Sequence, residues 1–235
     1  MPLQSTRPAC AERIPRAQAA QGARDPIMTE VAVCGLFVYP VKSCRGIALS
    51  SAVLTERGLA HDREWMVVGG DGRFLSQREL PRLSLVDTRI TSDSLSLSAP
   101  GVGSISVPLA DGGTKAAVTV WRDTVQAIDQ GAEPASWLST YLGREARLVR
   151  FDPGTKRYCN PDYAGDSGAH TGFADAYPLL VLSEASLADL NRRLALALPL
   201  DRFRPNVVLR GVEAYDEDHR AAIAVGDAVL RLDGP

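Results

Sequence analysis

Apolar residues in this chain come in short β-branched and aromatic runs closed by Gly, Asp or Pro, a texture that allows strands almost everywhere and long helices almost nowhere. VAVCGLFVYPV opens the pattern, with Pro40 restricting its end to a strand terminus or edge. IALSSAVLTERG, EWMVVGGDGRFLSQ, LSLVDTRITSDSLSLSAPG, GSISVPLADGG and AAVTVWRDTVQAIDQG continue it, and the Gly69, Gly70, Asp71, Gly72 cluster predicts a hairpin. Two stretches break the pattern. In EPASWLSTYLG the apolar positions Trp137, Leu138, Tyr141 and Leu142 fall at helical spacing, and Gly143 is placed to end a helix. YPLLVLSEASLADLNRRLA runs from a buried strand into a second helix, with Ser183 as its N-cap. RFRPNVVLRG and AIAVGDAVLRLDGP return to strands, so the expected class is α+β, mostly β, with a barrel component.

Residues 1–28 carry Ala, Arg, Gln and Pro without apolar periodicity and predict a disordered extension, with Met28 as an alternative start. Residues 29–150 and 151–235 read as two successive domains, and the polar, aperiodic stretch 152–172 reads as a long functional or mobile loop. A net charge of −2 over 235 residues supplies no field to hold a nucleic-acid backbone, though a local basic pocket remains open to a small anion. No apolar run reaches the roughly 18 residues that span a bilayer. The four cysteines, Cys10, Cys34, Cys44 and Cys159, have no CxxC spacing and follow no signal peptide, which leads to a reducing cytoplasm as the expected location.

Candidate chemistry sits where polar groups end apolar strands, in VYPVKSCRG, HDREW, FADAYPLLVLSEASL and FRPN. Lys42, Arg45, Arg63, Arg202 and Arg204 supply cations, and Ser43, Asn206 and backbone amides supply neutral donors, a set suited to phosphate oxygens. Each also has a plainer reading: Lys42 and Arg63 as solvated turn cations with Asp62 pairing Arg63, Arg204 paired with Asp201 or Asp216, Asn206 bonding its own backbone. Cys44, beside Lys42 and Arg45, reads either as a thiolate of lowered pKa or as a buried structural thiol. GxSxG, P-loop, GxGxxG and HExxH patterns are all missing, which demotes hydrolase, nucleotide-binding and zinc-protease readings.

Taken in order, VYPVKSCRG, GLAHDREWMVV with SQRELPRL, FADAYPLLVLSEASLADLN and FRPNVVLRG resemble the MOSC proteins that carry an N-terminal MOSC β-barrel-like domain, among them the mitochondrial amidoxime-reducing components. The resemblance runs from Val31 to about Leu232 and implies a β-barrel-like N-terminal region followed by an incomplete MOSC barrel. It implies a molybdenum cofactor (molybdopterin), reduction of a small N-hydroxylated substrate, and electrons from a separate redox protein. Lys42, Ser43 and Arg63 match positions expected to bind the cofactor's phosphate and pterin; Asp175, Ala176 and Tyr177 match one wall, and Arg204 and Asn206 the other. On this resemblance Arg204 forks onto an acidic cofactor oxygen and Asn206 donates to the pterin. The cysteine that ligates molybdenum in the family lies beyond the segment matching AIAVGDAVLRLDGP, so the expectation is a fragment without that ligand. A non-catalytic pterin carrier, and sulfur transfer through Cys44, stand as alternatives.

Overall fold

The computed structural model describes residues 31–110 and 112–232; the extension expected over residues 1–28, with Cys10 and the choice of start, lies outside them. Strands dominate, and among the described residues they fall into separate sheets with no closed barrel.

One sheet carries the cleft described below. Its order is Val181–Ser183, Val207–Arg210, Ala32–Val38, Ile47–Leu49. Ala32–Val38 pairs antiparallel with Val207–Arg210, which runs parallel to Val181–Ser183, so segments 29–150 and 151–235 share a sheet. The register slips between Val33 and Gly35. A side chain at Gly35 would meet the Phe37 ring at 2.9 Å, which is why a glycine occupies the bulge.

A second sheet orders Trp65–Val68, Arg147–Phe151, Asp123–Asp129 and Lys115–Val120, all antiparallel. Trp65–Val68 is buried on both faces: Trp65 and Val67 enter one apolar cluster, Met66 and Val68 another. That double burial explains a run with no apolar-polar alternation. Ser94–Ala99 shows the opposite case, with Leu95 and Leu97 directed into the first cluster opposite Val107 and Ile105, while the serines between them are only partly buried.

Helix α1, Ala132–Leu142, closes the first cluster with Leu138, Tyr141 and Leu142 and stops at Gly143, whose φ of 70° lets its N–H reach Ser139 O at 2.9 Å. Residues 152–172, expected as a long functional or mobile loop, carry short elements of their own. Arg157–Tyr158 pairs with His170–Thr171, and between them lie α2, Pro161–Ala164, capped by Asn160 Oδ1, which accepts from Asp162 N, and a 3-10 turn, Gly165–Ser167. Each piece is shorter than the period that would reveal it in sequence. Helix α3, Glu184–Arg193, begins as expected, with the Ser183 hydroxyl accepting from Ser186 N at 3.0 Å. No helix of the described residues is long and apolar enough to cross a membrane.

Candidate functional site

Beyond Ala32–Val38 the chain turns through residues 39–44 and is fastened to the second sheet, with Lys42 N donating to Trp65 O and Trp65 N to Pro40 O. Cys44 N closes the turn onto Val41 O at 3.0 Å, leaving Lys42 and Ser43 at its two central positions. This turn is one wall of a cleft of about 700 Å³. Arg63 enters the cleft from the segment before Trp65–Val68, Asp175, Ala176 and Tyr177 from the segment after His170–Thr171, and Arg204 and Asn206 from the approach to Val207–Arg210. All eight residues that the resemblance matches to the cofactor therefore line one cleft.

Its backbone is strained. Ser43 (φ 70°), Arg63 (φ 45°), Trp121 (φ 54°) and Arg204 (φ 57°) all adopt left-handed conformations, and all four line the cleft. Such conformations cost about 1–2 kcal/mol for a residue with a Cβ, and they persist where the surrounding structure holds them for a purpose. Ser43 has positive φ at the third position of its turn, where a type II turn favours glycine. Ser43→Gly is therefore expected to raise stability by about 0.5–1 kcal/mol in a denaturant titration, after the extra unfolded-state entropy of glycine is subtracted.

Two guanidinium groups stand against one aromatic ring: Arg63 Cζ lies 4.4 Å and Arg204 Cζ 4.2 Å from the Tyr39 centroid. Arg63 Nη1 donates to Asp62 Oδ2 at 2.5 Å and to Asn206 Oδ1 at 2.9 Å, and Nη2 donates to Arg204 O at 2.8 Å. The expected pairing with Asp62 thus exists, while the Arg63 side chain is 11% exposed rather than solvated. Arg204 Nη1 donates to Cys44 O at 2.6 Å, and Nη2 is buried with no hydrogen-bond partner. Neither Asp201 nor Asp216 pairs with Arg204 among the described residues; Asp216 is taken by Arg220. Burial first, and the charge of Arg63 second, pull the Arg204 guanidinium down to about 10.

Lys42 is buried, with Nζ donating to Phe173 O at 2.7 Å and to Asp175 Oδ1 at 2.6 Å. Burial lowers its pKa against the opposing pull of Asp175. Asp175 also accepts from the Trp121 indole N–H at 2.8 Å. Behind this wall, the buried Arg157 donates to the carbonyls of Gly172, Ala174 and Asp175 and to Asp123 Oδ2, clamping the strip that presents Asp175 and Ala176.

The expected role of Asn206 changes. It is 1% exposed; Oδ1 accepts from Arg63 and from Leu180 N, Nδ2 donates to Phe37 O, and the amide also bonds Asp62. Its donors are spent inside the protein, so it aims Arg63 instead of contacting a ring. Of the two readings of Cys44, the buried structural thiol is the one found: it is fully buried in the apolar cluster and burial pushes its thiol up to about 12, which weighs against a thiolate for sulfur transfer. Arg45 points elsewhere, pairing with Asp87 at the surface, and Arg202 sits exposed at the rim.

Phe74, Gln77, Arg78 and Trp121 also line the cleft and were not singled out from sequence. Gln77 supports the Ser43 turn by donating to Ser43 O at 2.7 Å. A signal for Trp121 did exist: it occupies a two-residue turn between strands, where glycine, asparagine or aspartate is the usual choice.

Comparison with known proteins agrees with this architecture. A MOSC N-terminal beta barrel domain matches residues 30–145 and a MOSC domain matches residues 168–235. Mitochondrial amidoxime reducing component 2 of Bos taurus is 33% identical over 223 residues, covering 91% of this chain and 66% of the relative. Mitochondrial amidoxime-reducing component 1 of Homo sapiens is 35% identical over 209 residues, covering 85% and 62%. Molybdenum cofactor sulfurase of Oryza sativa subsp. japonica is 33% identical over 224 residues, covering 86% and 27%. The chain spans less than two thirds of the length of these relatives. With both domain models matched in order, the chain belongs to the MOSC family.

Proposed function

We propose that the cleft holds a molybdopterin by its phosphate, and that the protein works as a molybdenum-cofactor-dependent oxidoreductase on small N-hydroxylated compounds, with electrons from a separate redox protein. The observation that carries the reading is Arg204 Nη2, a buried charged donor that the chain itself leaves unsatisfied beside a second guanidinium. Unpaired buried donors are costly, and two adjacent cations repel; a phosphate relieves both. The names of the relatives support the same reading.

The residues present fit the organic part of that group. Lys42, Arg63 and Arg204 match an anion, Ser43 and the backbone at Ala176 border the space a flat ring needs, and Asp62 and Asn206 fix the direction of Arg63. When bound, the group supplies a redox-active metal, while the protein binds, orients and shields it. A second reading is a non-catalytic carrier of the cofactor, since holding a phosphate asks only for the cations Lys42, Arg63 and Arg204 that line the cleft.

Protein purified from a cofactor-producing host tests both. Pterin released by oxidation and read by fluorescence, together with reduction of an N-hydroxylated amidine by chemically reduced protein, supports the enzyme. Pterin at one per chain without turnover supports the carrier, and absence of pterin overturns the cleft assignment.

A further inference from the structure

Trp121 is a large aromatic residue in the wrong place for stability alone. It is 43% exposed, and it occupies the first position of the two-residue turn joining Lys115–Val120 to Asp123–Asp129 with a φ of 54°. Glycine suits that position without strain. The side chain is nevertheless held in place: the indole N–H donates to Asp175 Oδ1 at 2.8 Å, and Phe74 packs against the ring at 4.8 Å between centroids, tilted by 60°. Lys42 Nζ lies 5.8 Å and Arg78 Cζ 5.7 Å from the ring centroid. Arg78 and Arg202, both exposed and both lining the cleft, make no ion pair among the described residues. Asp175, the carboxylate that lines this cleft, is already engaged by Lys42 and Trp121.

An exposed, anchored π-face beside the unpaired guanidinium of Arg78 is complementary to a flat ring carrying a negative charge, because stacking and the cationic field act on the same molecule. We infer that Trp121, with Phe74 behind it and Arg78 beside it, forms an acceptor subsite at the mouth of the cleft for aryl anions, selecting planar aromatic substrates that bear a carboxylate or similar group. As a substrate subsite it rests on the cofactor reading of the partly buried Arg63 and Arg204. The strain at Trp121 is then retained for recognition.

Calorimetric titration of the full chain with 2-naphthoate, with naphthalene-2-carboxamide and cyclohexanecarboxylate as controls, tests the subsite without requiring turnover. Naphthoate is expected to bind about tenfold more tightly than either control, since each lacks one of the two interactions. Trp121→Leu should lose about tenfold in naphthoate affinity, Trp121→Phe should keep most of it, and Arg78→Ala should erase the preference over the carboxamide. Trp121→Gly guards against misfolding, because its backbone is at ease there; it should melt within a few degrees of the natural protein and bind naphthoate no better than Trp121→Leu. Unchanged naphthoate affinity in Trp121→Leu overturns the subsite. Loss of pterin in Trp121→Leu also overturns it, by giving the ring to the cofactor. A natural protein that lacks pterin yet shows the full naphthoate pattern overturns the cofactor reading and leaves the aryl-anion subsite standing.

Discussion

Replacing Asp62 with alanine is expected to cost the fold about 3–5 kcal/mol, measured as the shift in a urea or guanidinium unfolding curve. The Asp62 side chain is 1% exposed. Oδ1 accepts from Tyr39 N at 2.8 Å and Oδ2 from Arg63 Nη1 at 2.5 Å. Removing it strands a buried amide N–H and a guanidinium already crowded by Arg204. Burial pushes the Asp62 carboxyl up against the pull of Arg63, so the ion is itself held at a cost. The sign follows: a carboxyl whose pKa is raised on folding contributes less stability as pH rises through the raised value. Breaking the pair is nonetheless worse than keeping it, because the surviving charge keeps only the neutral acceptors Asn206 Oδ1 and Arg204 O. Asp62→Asn keeps an acceptor for Tyr39 N and should lose about half as much. A loss under 1 kcal/mol in Asp62→Ala would mean that Arg63 finds water or another acceptor, and that the cleft wall is looser than its geometry.

What the sequence revealed follows the range of the interactions involved. Ser94–Ala99 was legible because its alternation is a local consequence of the pleat, and α1 and α3 because capping and 3.6-residue spacing are local as well. The pairing of Ala32–Val38 with Val207–Arg210 was not, since both strands carry β texture and neither encodes its neighbour. Residues 152–172 failed for a related reason: Arg157–Tyr158 and α2 owe their order to a distant pairing and to Asn160, not to an apolar period.

The site divides in the same way. Lys42, Arg63 and Arg204 stood out as cations at strand ends within motifs, and they do meet in one cleft. The residues that hold them were hidden, because Asn206 looks like any turn asparagine until Arg63, 143 positions away, is seen to donate to it. Arg157 is hidden more completely: it lies in an aperiodic stretch and acts on three carbonyls. Of the unanticipated cleft residues, Trp121 alone broke a local rule strongly enough to be found, as a tryptophan where a tight hairpin turn asks for glycine.

The second large effect concerns Arg204, where stability and binding should separate. Arg204→Met is expected to leave the cofactor-free protein within about 1 kcal/mol of its natural stability while lowering cofactor affinity roughly 100-fold or more, a change of about 3 kcal/mol. The near-neutral stability comes from opposing terms. Methionine gives up the 2.6 Å bond to Cys44 O, but it also removes a buried donor without a partner and the repulsion from Arg63. Folding lowers the Arg204 pKa from its ordinary value to about 10, so the unfolded chain holds this proton more tightly and the charged side chain opposes folding at neutral pH. Its contribution to stability therefore rises with pH between those two values, and the methionine variant should lack that rise. Affinity collapses because an ammonium or a thioether cannot replace the planar donors, and Arg204→Lys should recover only part of it. Thermal melts of the cofactor-free proteins and pterin content after purification decide the matter. A melting point far below that of the natural protein would make Arg204 a structural strut. An unchanged melting point with pterin lost would place the unsatisfied donor in the service of an anion.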